Sequence, residues 1–329
     1  MPIPKISLGV PPGPLALESI DLAEKLNYHR VWLYDSAAIW EDVWITMGLA
    51  AQRTNHIGLG TAVLIPNLRH VMTTASAIAT IDRIAPGRLA CGFGTGFTGR
   101  RVLGQKPLSW SYTKRYIRQL KALLIGEVVE IDGEECQMIH HPAMAAPRPI
   151  EVEIILSAFG PKGQEVAREL AEGVMTFGKN DGSWDQFLRM VHGTVLRDGE
   201  SQYSERAIDA AGPWWVVQAH SQWESGGDEA LLQWPGGDEY LKQVSVDRPE
   251  NQRHLAIHEG HCTHLTDRDR ILVNGVDGQP SWNGWVGDRE DIMQRVEAEA
   301  AAGVTELIFN TGGSNPLREI RAFAEAAIG

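Results

Sequence analysis

The sequence predicts a single (β/α)8 barrel, and three observations carry that prediction. Short apolar runs rich in β-branched and aromatic residues recur along the chain, each followed by a turn-forming cluster and then a helical pattern. Eight such runs can be counted, which is the strand number of this barrel. The 329 residues, 43% of them hydrophobic, can form a large core without disulfide bonds. An open dinucleotide-binding sheet fits less well, because no glycine-rich fingerprint follows the first run.

The predicted elements alternate in the order that parallel βα units require. The strands are Lys5–Val10, Val31–Asp35, Ile57–Ile65, Leu89–Phe93, Val152–Ser157, Gly173–Phe177, Trp214–Ala219 and Glu306–Asn310. The helices are Leu15–Leu26, Val43–Arg53, Thr73–Ile84, Ser109–Leu124, Gly163–Leu170, Asp288–Ala302 and Pro316–Ala327.

The regular spacing breaks once, between Phe177 and Val286. This stretch is dense in Trp, Gly, Asp and His and contains one convincing strand. Insertions in such barrels sit over the active face. We therefore interpret residues 180–285 as an atypical lid or insertion within one domain that covers residues 1–329.

Charge and cysteine usage narrow the class of partner. The 30 basic and 42 acidic side chains give a net charge of −12, which argues against a nucleic-acid partner. Cys91, Cys136 and Cys262 are far apart and lack C-x-x-C spacing, so we expect neither a disulfide framework nor a thiolate zinc site. No run approaches the roughly 20 apolar residues that cross a bilayer. We expect a cytoplasmic protein that acts on a small-molecule substrate, with no membrane partner.

In a (β/α)8 barrel the residues just past each strand line the active site. Asp35 ends a strongly apolar run, so its carboxylate is delivered to the rim of the barrel. A ligand contact and a structural role as a helix cap or rim hydrogen bond are both open for it. Between Ala62 and Asn67 an apolar strand end turns at Pro66, where a flat ring would fit, although a plain loop explains the same residues.

Glycine-rich and small-residue exits follow three further strands. Gly94-Thr95-Gly96 permits close approach of a ligand to the backbone, but the Gly-Lys-Ser/Thr ending of a P-loop is missing. The segment from Ser157 through Ala158, Phe159 and Gly160 leads into a helix with Pro161 at its start, which is typical of a phosphate site. Phe177-Gly178-Lys179 follows the next strand and would supply an amide and an ammonium to the same phosphate.

Histidines concentrate in the atypical segment. His254, His258, His261 and His264 would share one broad helical face, but their spacing is not the H-E-x-x-H pattern and no clustered carboxylates or thiolates accompany them. We therefore predict no metal site. A pocket role for one or two of them and ordinary packing both stay open.

Several of these segments together resemble the luciferase-like superfamily, in particular its deazaflavin-dependent branch. The resemblance covers about the first 180 residues and resumes near Gly287. The segments that carry it are Gly58-Leu59-Gly60-Thr61-Ala62-Val63, Pro66-Asn67, Arg69-His70, Ile81-Asp82, Gly87-Arg88, Gly94-Thr95-Gly96, Gly160-Pro161-Lys162, Ala171-Glu172-Gly173-Val174, Val286-Gly287-Asp288 and Ala302-Gly303-Val304.

The resemblance implies an oxidoreductase, commonly a homodimer, that holds a planar flavin-like ring at the barrel mouth. It implies a non-prolyl cis peptide bond at Ala62-Val63 behind the ring, an acidic group at Asp35 facing the ring, and phosphate-binding amides at Phe159, Gly160 and Gly178. With the strand-end candidates, the expected cofactor residues are Asp35, Ala62, Val63, Thr95, Ser157, Ala158, Phe159, Gly160, Phe177 and Gly178.

One departure leaves the proton donor open. Many relatives carry His directly after the acidic residue, whereas this chain has Ser36. The donor is then Asp35, Glu41, His220 or a lid histidine, and we take Asp35, His220 and His258 as the catalytic candidates.

The expected function is hydride transfer between deazaflavin coenzyme F420 and an imine, enone or carbonyl compound. The alternative with the same fold is a monooxygenase that uses reduced FMN and oxygen. A non-catalytic flavin-binding protein and a zinc hydrolase built on the histidines are further alternatives.

Overall fold

In the computed structural model, which describes residues 3–329, the predicted barrel is present. The strands are β1 (Lys5–Val10), β2 (Arg30–Leu33), β3 (Gly58–Leu64), β4 (Leu89–Phe93), β5 (Val129–Ile131), β6 (Glu134–Cys136), β7 (Glu153–Ser157), β8 (Gly173–Thr176), β9 (Phe187–Val195), β10 (Trp285–Gly287) and β11 (Glu306–Asn310). The helices are α1 (Ala16–Lys25), α2 (Val43–Arg53), α3 (Val71–Ile84), α4 (Phe97–Arg101), α5 (Trp110–Ile125), α6 (Pro161–Leu170), α7 (Glu205–Trp215), α8 (Val217–Leu231), α9 (Gly237–Asp247), α10 (Arg253–Ile257), α11 (Asp267–Gly275), α12 (Arg289–Ala301) and α13 (Pro316–Ala327).

Eight parallel strands close the sheet on itself. They pair in the order β1-β2-β3-β4-β7-β8-β9-β11, and β11 returns to β1. The short strands β5 and β6 form an antiparallel hairpin outside the barrel. Strand β10 pairs with the end of β9, where Gly193 has φ +141° and a Cβ would lie 2.1 Å from the Trp285 carbonyl oxygen. Glycine is therefore required for this extra pairing.

Local capping chemistry sets several helix bounds. Asp42 accepts hydrogen bonds from the backbone N–H groups of Trp44 and Ile45 at the start of α2. Asp288 forms a capping box with Asp291 at the start of α12. The bounds predicted for α2 and α13 match the structure, and those of the other predicted helices differ by one or two residues.

One predicted strand is wrong. The segment Trp214–Ala219 is helical, because it holds the end of α7 and the start of α8. Its apolar residues pack on one side against the helical cluster and on the other against the cluster at the barrel mouth. An uninterrupted apolar run results, and in the sequence such a run looks like a buried strand. The seventh barrel strand is β9, inside the stretch that the sequence analysis interprets as the insertion.

Six apolar side chains fill the barrel interior. They are Trp32, Ala90, Ile155, Met175, Leu188 and Ile308. Beneath them the carboxylate of Glu306 accepts hydrogen bonds from Ser7 Oγ at 2.6 Å and Trp32 Nε1 at 2.7 Å. The interior is thus a packed core and not a pore.

The segment after β9 is mainly helical and has a core of its own. Helices α7 to α11 bury a separate apolar cluster that includes Trp215, Tyr240 and Leu272. We call residues 205–275 the helical region. Within residues 3–329 there is no helix whose length and apolar character would let it cross a bilayer.

Candidate active site

The pleat of the barrel strands brings a second layer of side chains to the mouth. Successive residues of a strand alternate between its two faces. Tyr34, Ser157, Phe177 and Asn310 lie two residues beyond interior core positions, and His192 lies four beyond Leu188. The Tyr34 hydroxyl donates to Asn310 Oδ1 at 2.6 Å, and the side-chain amide of Asn310 donates to the backbone of β9. This pair closes the β1–β2–β11 side of the mouth.

Strand β3 carries a bulge at the mouth. Its register with β4 shifts between Thr61 and Leu64, and the Ala62–Val63 peptide bond is cis, so the cis bond that the resemblance implies is confirmed. Both side chains are only partly buried. A Cβ on Gly94 would lie 2.7 Å from Val63 Cγ2, so glycine lets Val63 lie across the exit of β4.

The start of α6 lies at the exit of β7, which is separated from β3 by β4 alone. Gly160 is its N-cap, no side chain caps it, and a Cβ on Gly160 would meet open space. Phe159 is 61% exposed, and its ring stacks on Phe177 with centroids 6.3 Å apart. Pro161 has no N–H and the Gly163 N–H donates to the Gly160 carbonyl at 3.0 Å, so the Lys162 N–H and the helix dipole are what this helix start offers to an anion.

Three expected cofactor residues have more limited roles than the sequence suggests. The Gly178 N–H already donates to Thr176 Oγ1 at 3.0 Å. Ala158 is buried in the main core, so only its backbone faces the mouth region. Thr95 is half-buried, and its carbonyl accepts from the Leu108 N–H at 2.8 Å.

Asp35 is buried beside a cation. Its Oδ2 lies 2.7 Å from Arg69 Nη1, and Arg69 Nη2 lies 2.8 Å from Asp42. Burial raises the pKa of the Asp35 carboxyl, and the Arg69 guanidinium opposes that rise. One oxygen of the Asp35 carboxylate is therefore already bonded to Arg69.

The two histidines named as catalytic candidates lie in the helical region and both have partners. His220 Nε2 lies 3.0 Å from Asp269 Oδ1 and 3.2 Å from the Tyr240 hydroxyl. His258 Nε2 lies 2.8 Å from Glu224 Oε1. Burial lowers the pKa of His258, and the hydrogen bond to Glu224 opposes that change.

Contacts from these helices reach the loop after β4. Glu224 also pairs with Arg101 of α4 at 3.1 Å, and His261 lies 3.3 Å from Thr98 Oγ1. His254 is half-buried and His264 is exposed. In residues 3–329 no group of three or more His, Cys, Asp or Glu is arranged to hold a metal ion.

His192, which sequence reasoning missed, is a buried histidine at the mouth itself. It is 8% exposed, and its ring stacks on Trp214 at 5.1 Å and 13°. Phe177 meets the same ring edge-on at 6.2 Å. Its Nδ1 is buried without a hydrogen-bond partner, and no residue in the described range bonds to Nε2. Burial lowers the pKa of His192 to about 4, so the ring is neutral near pH 7.

An apolar cavity lies at the rim beside the mouth. It has a volume of about 410 Å³ and is bounded by the loops after β1, β2 and β11. Trp40 lines it and also contacts Tyr34, with ring centroids 4.9 Å apart. Tyr34, Trp214 and Cys262, with Trp40 and Ala62 packed against them, form one apolar cluster between this cavity and the bulge.

Enzymes built on a closed (β/α)8 barrel place their active site at the C-terminal mouth, and the open bulge, helix start and histidine all lie there. The fold and site therefore define a barrel enzyme. The family profile described as luciferase-like monooxygenase matches residues 12–306, and the chain belongs to that family. It is an oxidoreductase of the luciferase-like class, as the sequence analysis expects.

Individual relatives agree with this assignment. The chain is 34% identical over 182 residues to a 5,10-methylenetetrahydromethanopterin reductase of Methanolobus tindarius, which covers 54% of each sequence, about half of that relative. It is 29% identical over 340 residues to an F420-dependent glucose-6-phosphate dehydrogenase of Kineococcus radiotolerans, covering 95% of this chain and 91% of the relative. The structure of an F420-dependent secondary alcohol dehydrogenase with an F420-acetone adduct shares the fold, with a TM-score of 0.61, 17% identity and 98% of each chain covered.

Proposed function

We propose that this chain transfers a hydride between coenzyme F420 and a small organic substrate, an imine, an enone or a carbonyl compound. The observation that carries the proposal is the presence of two features on neighbouring parts of one mouth: a half-buried, apolar bulge at Ala62-Val63 on β3 and an uncapped helix start at Gly160, two strands further round the barrel after β7. A planar ring with a phosphate-bearing tail needs these two surfaces. The relatives that act with F420 support the choice of cofactor.

The mouth fits this cofactor in chemistry as well as in shape. Ala62 and Val63 offer a flat apolar backing, with Thr95 and Ser157 beside them as half-buried polar groups. Phe159 and Phe177 would border the tail on its way to Gly160, and Lys162 and Lys179 lie at the same edge. When bound, the deazaflavin supplies a ring carbon that gives or accepts a hydride.

The chain's own residues would then orient the ring and shield the reaction. The aromatic wall of Phe177 and Trp214 limits water at the mouth, because both rings pack together at 5.9 Å. Asp35, held by Arg69, keeps the loop after β2 in place and is our candidate for contact with the ring edge. His220 and His258, the catalytic candidates from the sequence, would act through the packing of the helical region. That region is our proposed lid.

Binding separates this proposal from the alternative. We expect fluorescence of the purified chain to be quenched in a saturable manner by coenzyme F420 and not by FMN. Saturable binding of FMN without any of F420 would overturn the proposal. An FMN-dependent monooxygenase, which the family description favours, would in addition consume oxygen when given reduced FMN.

Two further expectations belong with this proposal. The exposed apolar pair Ile45 (68%) and Leu49 (52%), one turn apart on α2, supports a homodimer, which sedimentation at micromolar concentration would test. Three free cysteines, two of them buried, support a reducing cytoplasm, which fractionation of the source cells would test.

A further inference from the structure

His192 is the mouth residue whose environment no structural role explains. Its side chain is more than nine-tenths buried, yet neither ring nitrogen has a hydrogen-bond partner in residues 3–329. A buried polar group without a partner costs roughly 1–3 kcal/mol, so native structures seldom keep one without a use. The other deeply buried histidines named above, His220, His258 and His261, also have an Nδ1 without a partner, but each bonds through Nε2 to a carboxylate or hydroxyl group.

The ring is also held in one orientation. Trp214 covers one face, Phe177 meets it edge-on, and Gly284 lies against Nδ1 so closely that a Cβ there would be 2.5 Å away. Trp214 is fixed in turn, since its Nε1 donates to the Thr311 carbonyl at 3.1 Å. With Nδ1 enclosed, Nε2 is the nitrogen that remains available to a ligand.

The place of this nitrogen matters for the reaction. Trp214 stacks on His192 and belongs to the same cluster against which Ala62 packs. His192 therefore stands at the wall of the mouth, one aromatic ring away from the bulge that would back the cofactor. A substrate between the ring and this wall would meet Nε2.

Charges around the mouth narrow the substrate class. Arg69 is neutralised by Asp35 and Asp42, and Arg101 by Glu224. Lys162 and Lys179 lie at the edge assigned to the cofactor phosphate. Among the described residues no Lys or Arg forms a hydrogen bond with His192, and Arg295 of α12 donates instead to the neighbouring Gly284 carbonyl at 3.3 Å. A phosphorylated substrate would need a free cation beside Nε2.

We propose that His192 Nε2–H donates a hydrogen bond to the reacting oxygen of an uncharged carbonyl substrate. This inference rests on the proposed function and names a catalytic residue and a substrate class for it. In the reductive direction the carbonyl carbon, or the β-carbon of an enone, accepts the hydride of reduced F420, and the displaced π electrons move onto the carbonyl oxygen. His192 stabilises that developing alkoxide or enolate as a neutral donor, and water supplies the proton that completes the alcohol or the saturated ketone. A neutral imidazole is suited to this task, because its N–H can stabilise a developing negative charge and still keep its proton.

The test compares His192→Phe with His192→Gln in the full-length chain loaded with reduced F420. The probes are cyclohex-2-enone, which is uncharged, and glucose 6-phosphate. We expect the wild type to reduce cyclohex-2-enone, His192→Phe to lower kcat about 100-fold, and His192→Gln, which keeps an N–H donor, to recover most of that loss. F420 affinity should be unchanged in both variants. An undiminished kcat in His192→Phe, equal loss in both variants, or a preference for glucose 6-phosphate would overturn the inference.

A second measurement separates this inference from the proposed function. In ¹⁵N-histidine-labelled protein, the Nε2 resonance of His192, assigned by its absence from His192→Gln, should shift when cyclohex-2-enone is added. If the wild type fails to bind F420, the proposed function fails. The shift then decides the role of His192 alone: a shift supports substrate contact, and an unmoved resonance overturns it.

Discussion

The helical region and the barrel mouth treat buried histidine in opposite ways. In the helical region, His220 and His258 each face a carboxylate that is itself buried, Asp269 and Glu224. At the mouth, His192 is buried between aromatic rings and has no partner within the described residues. The comparison indicates that the first two hold helices together, whereas the third is kept free for a ligand.

The difference has an energetic reason. His220 and His258 each recover the hydrogen bond of Nε2 through a carboxylate, although Nδ1 has no partner, so each can serve as a structural link. A buried histidine without a carboxylate partner stays neutral, and its unpaired ring nitrogens lower the stability of the fold. Variants that remove a partner should therefore damage stability in the helical region, and variants of His192 should affect ligand binding and pH response.

The largest expected effect is at Asp269. Its carboxylate accepts from His220 and forms the capping box with Thr266, and its side chain is 2% exposed. Asp269→Ala should lower the free energy of unfolding by about 4 kcal/mol, because it leaves buried polar groups without partners. Urea unfolding measures this. Asp267→Ala, an exposed neighbour in the same helix turn, is the control, and an equal loss there would contradict the structural role of the pair.

The next effect is the pH dependence that His192 confers on stability. Its pKa is about 4 in the folded protein against 6.5 ordinarily, so the unfolded chain binds the extra proton between these values. Stability is full above pH 6.5 and falls as the pH drops toward 4. His192→Gln should remove about 3 kcal/mol of that fall, as seen in urea midpoints across the range. Burial also lowers the pKa of His258 and His261, so part of the slope should persist. Identical slopes in both proteins would mean that His192 is solvated.

A smaller loss should follow from Glu224→Gln. Glu224 joins His258 to Arg101, and thus the helical region to the loop after β4. Loss of the charge should weaken both hydrogen bonds and cost about 2 kcal/mol of unfolding free energy. Glu229→Gln, at an exposed position beyond the kink at Gly227 in α8, serves as the matched control. Hydrogen exchange should also rise in α4 and α10 of the Glu224 variant alone. Unaltered exchange would show that the ion pair does not dock the two elements.

The smallest expected effect concerns the start of α6 at the mouth. Gly160→Asp places a carboxylate where the proposal puts the cofactor phosphate, and the space there is open. We expect F420 to bind about tenfold more weakly, which is about 1.4 kcal/mol. Ala143→Asp, in an exposed loop before β7, makes the same change of charge elsewhere and should leave the affinity as it is. If the Gly160→Asp variant binds F420 as tightly as the wild type does, the cofactor phosphate does not bind at this helix start.

Most barrel units could be predicted because their signal is local. Apolar strands such as β1, β4 and β11 are followed by amphipathic helices, of which α5 and α13 begin at the capping residues Ser109 and Asn315, and these patterns depend on short stretches of chain. The sequence pattern does not reveal strand β9, because Arg189 and His192 interrupt its apolar run. Arg189 reaches outward to Glu299 on α12, and His192 points into the mouth, so both polar residues are accounted for only by distant partners.

The sequence by itself determined the barrel, seven of its eight strands, and the position of the cis bond at the β3 bulge, the last through its resemblance to a family. Tertiary structure alone decided which histidines are hydrogen-bonded to carboxylates and which one faces the mouth. The reason is that the partners are far apart in the sequence. Glu224 lies 34 residues from His258, and Asp269 lies 49 residues from His220. Trp214, which stacks on His192 of β9, belongs to the separate helix α7. Pairing over such separations follows from packing, which no local pattern records.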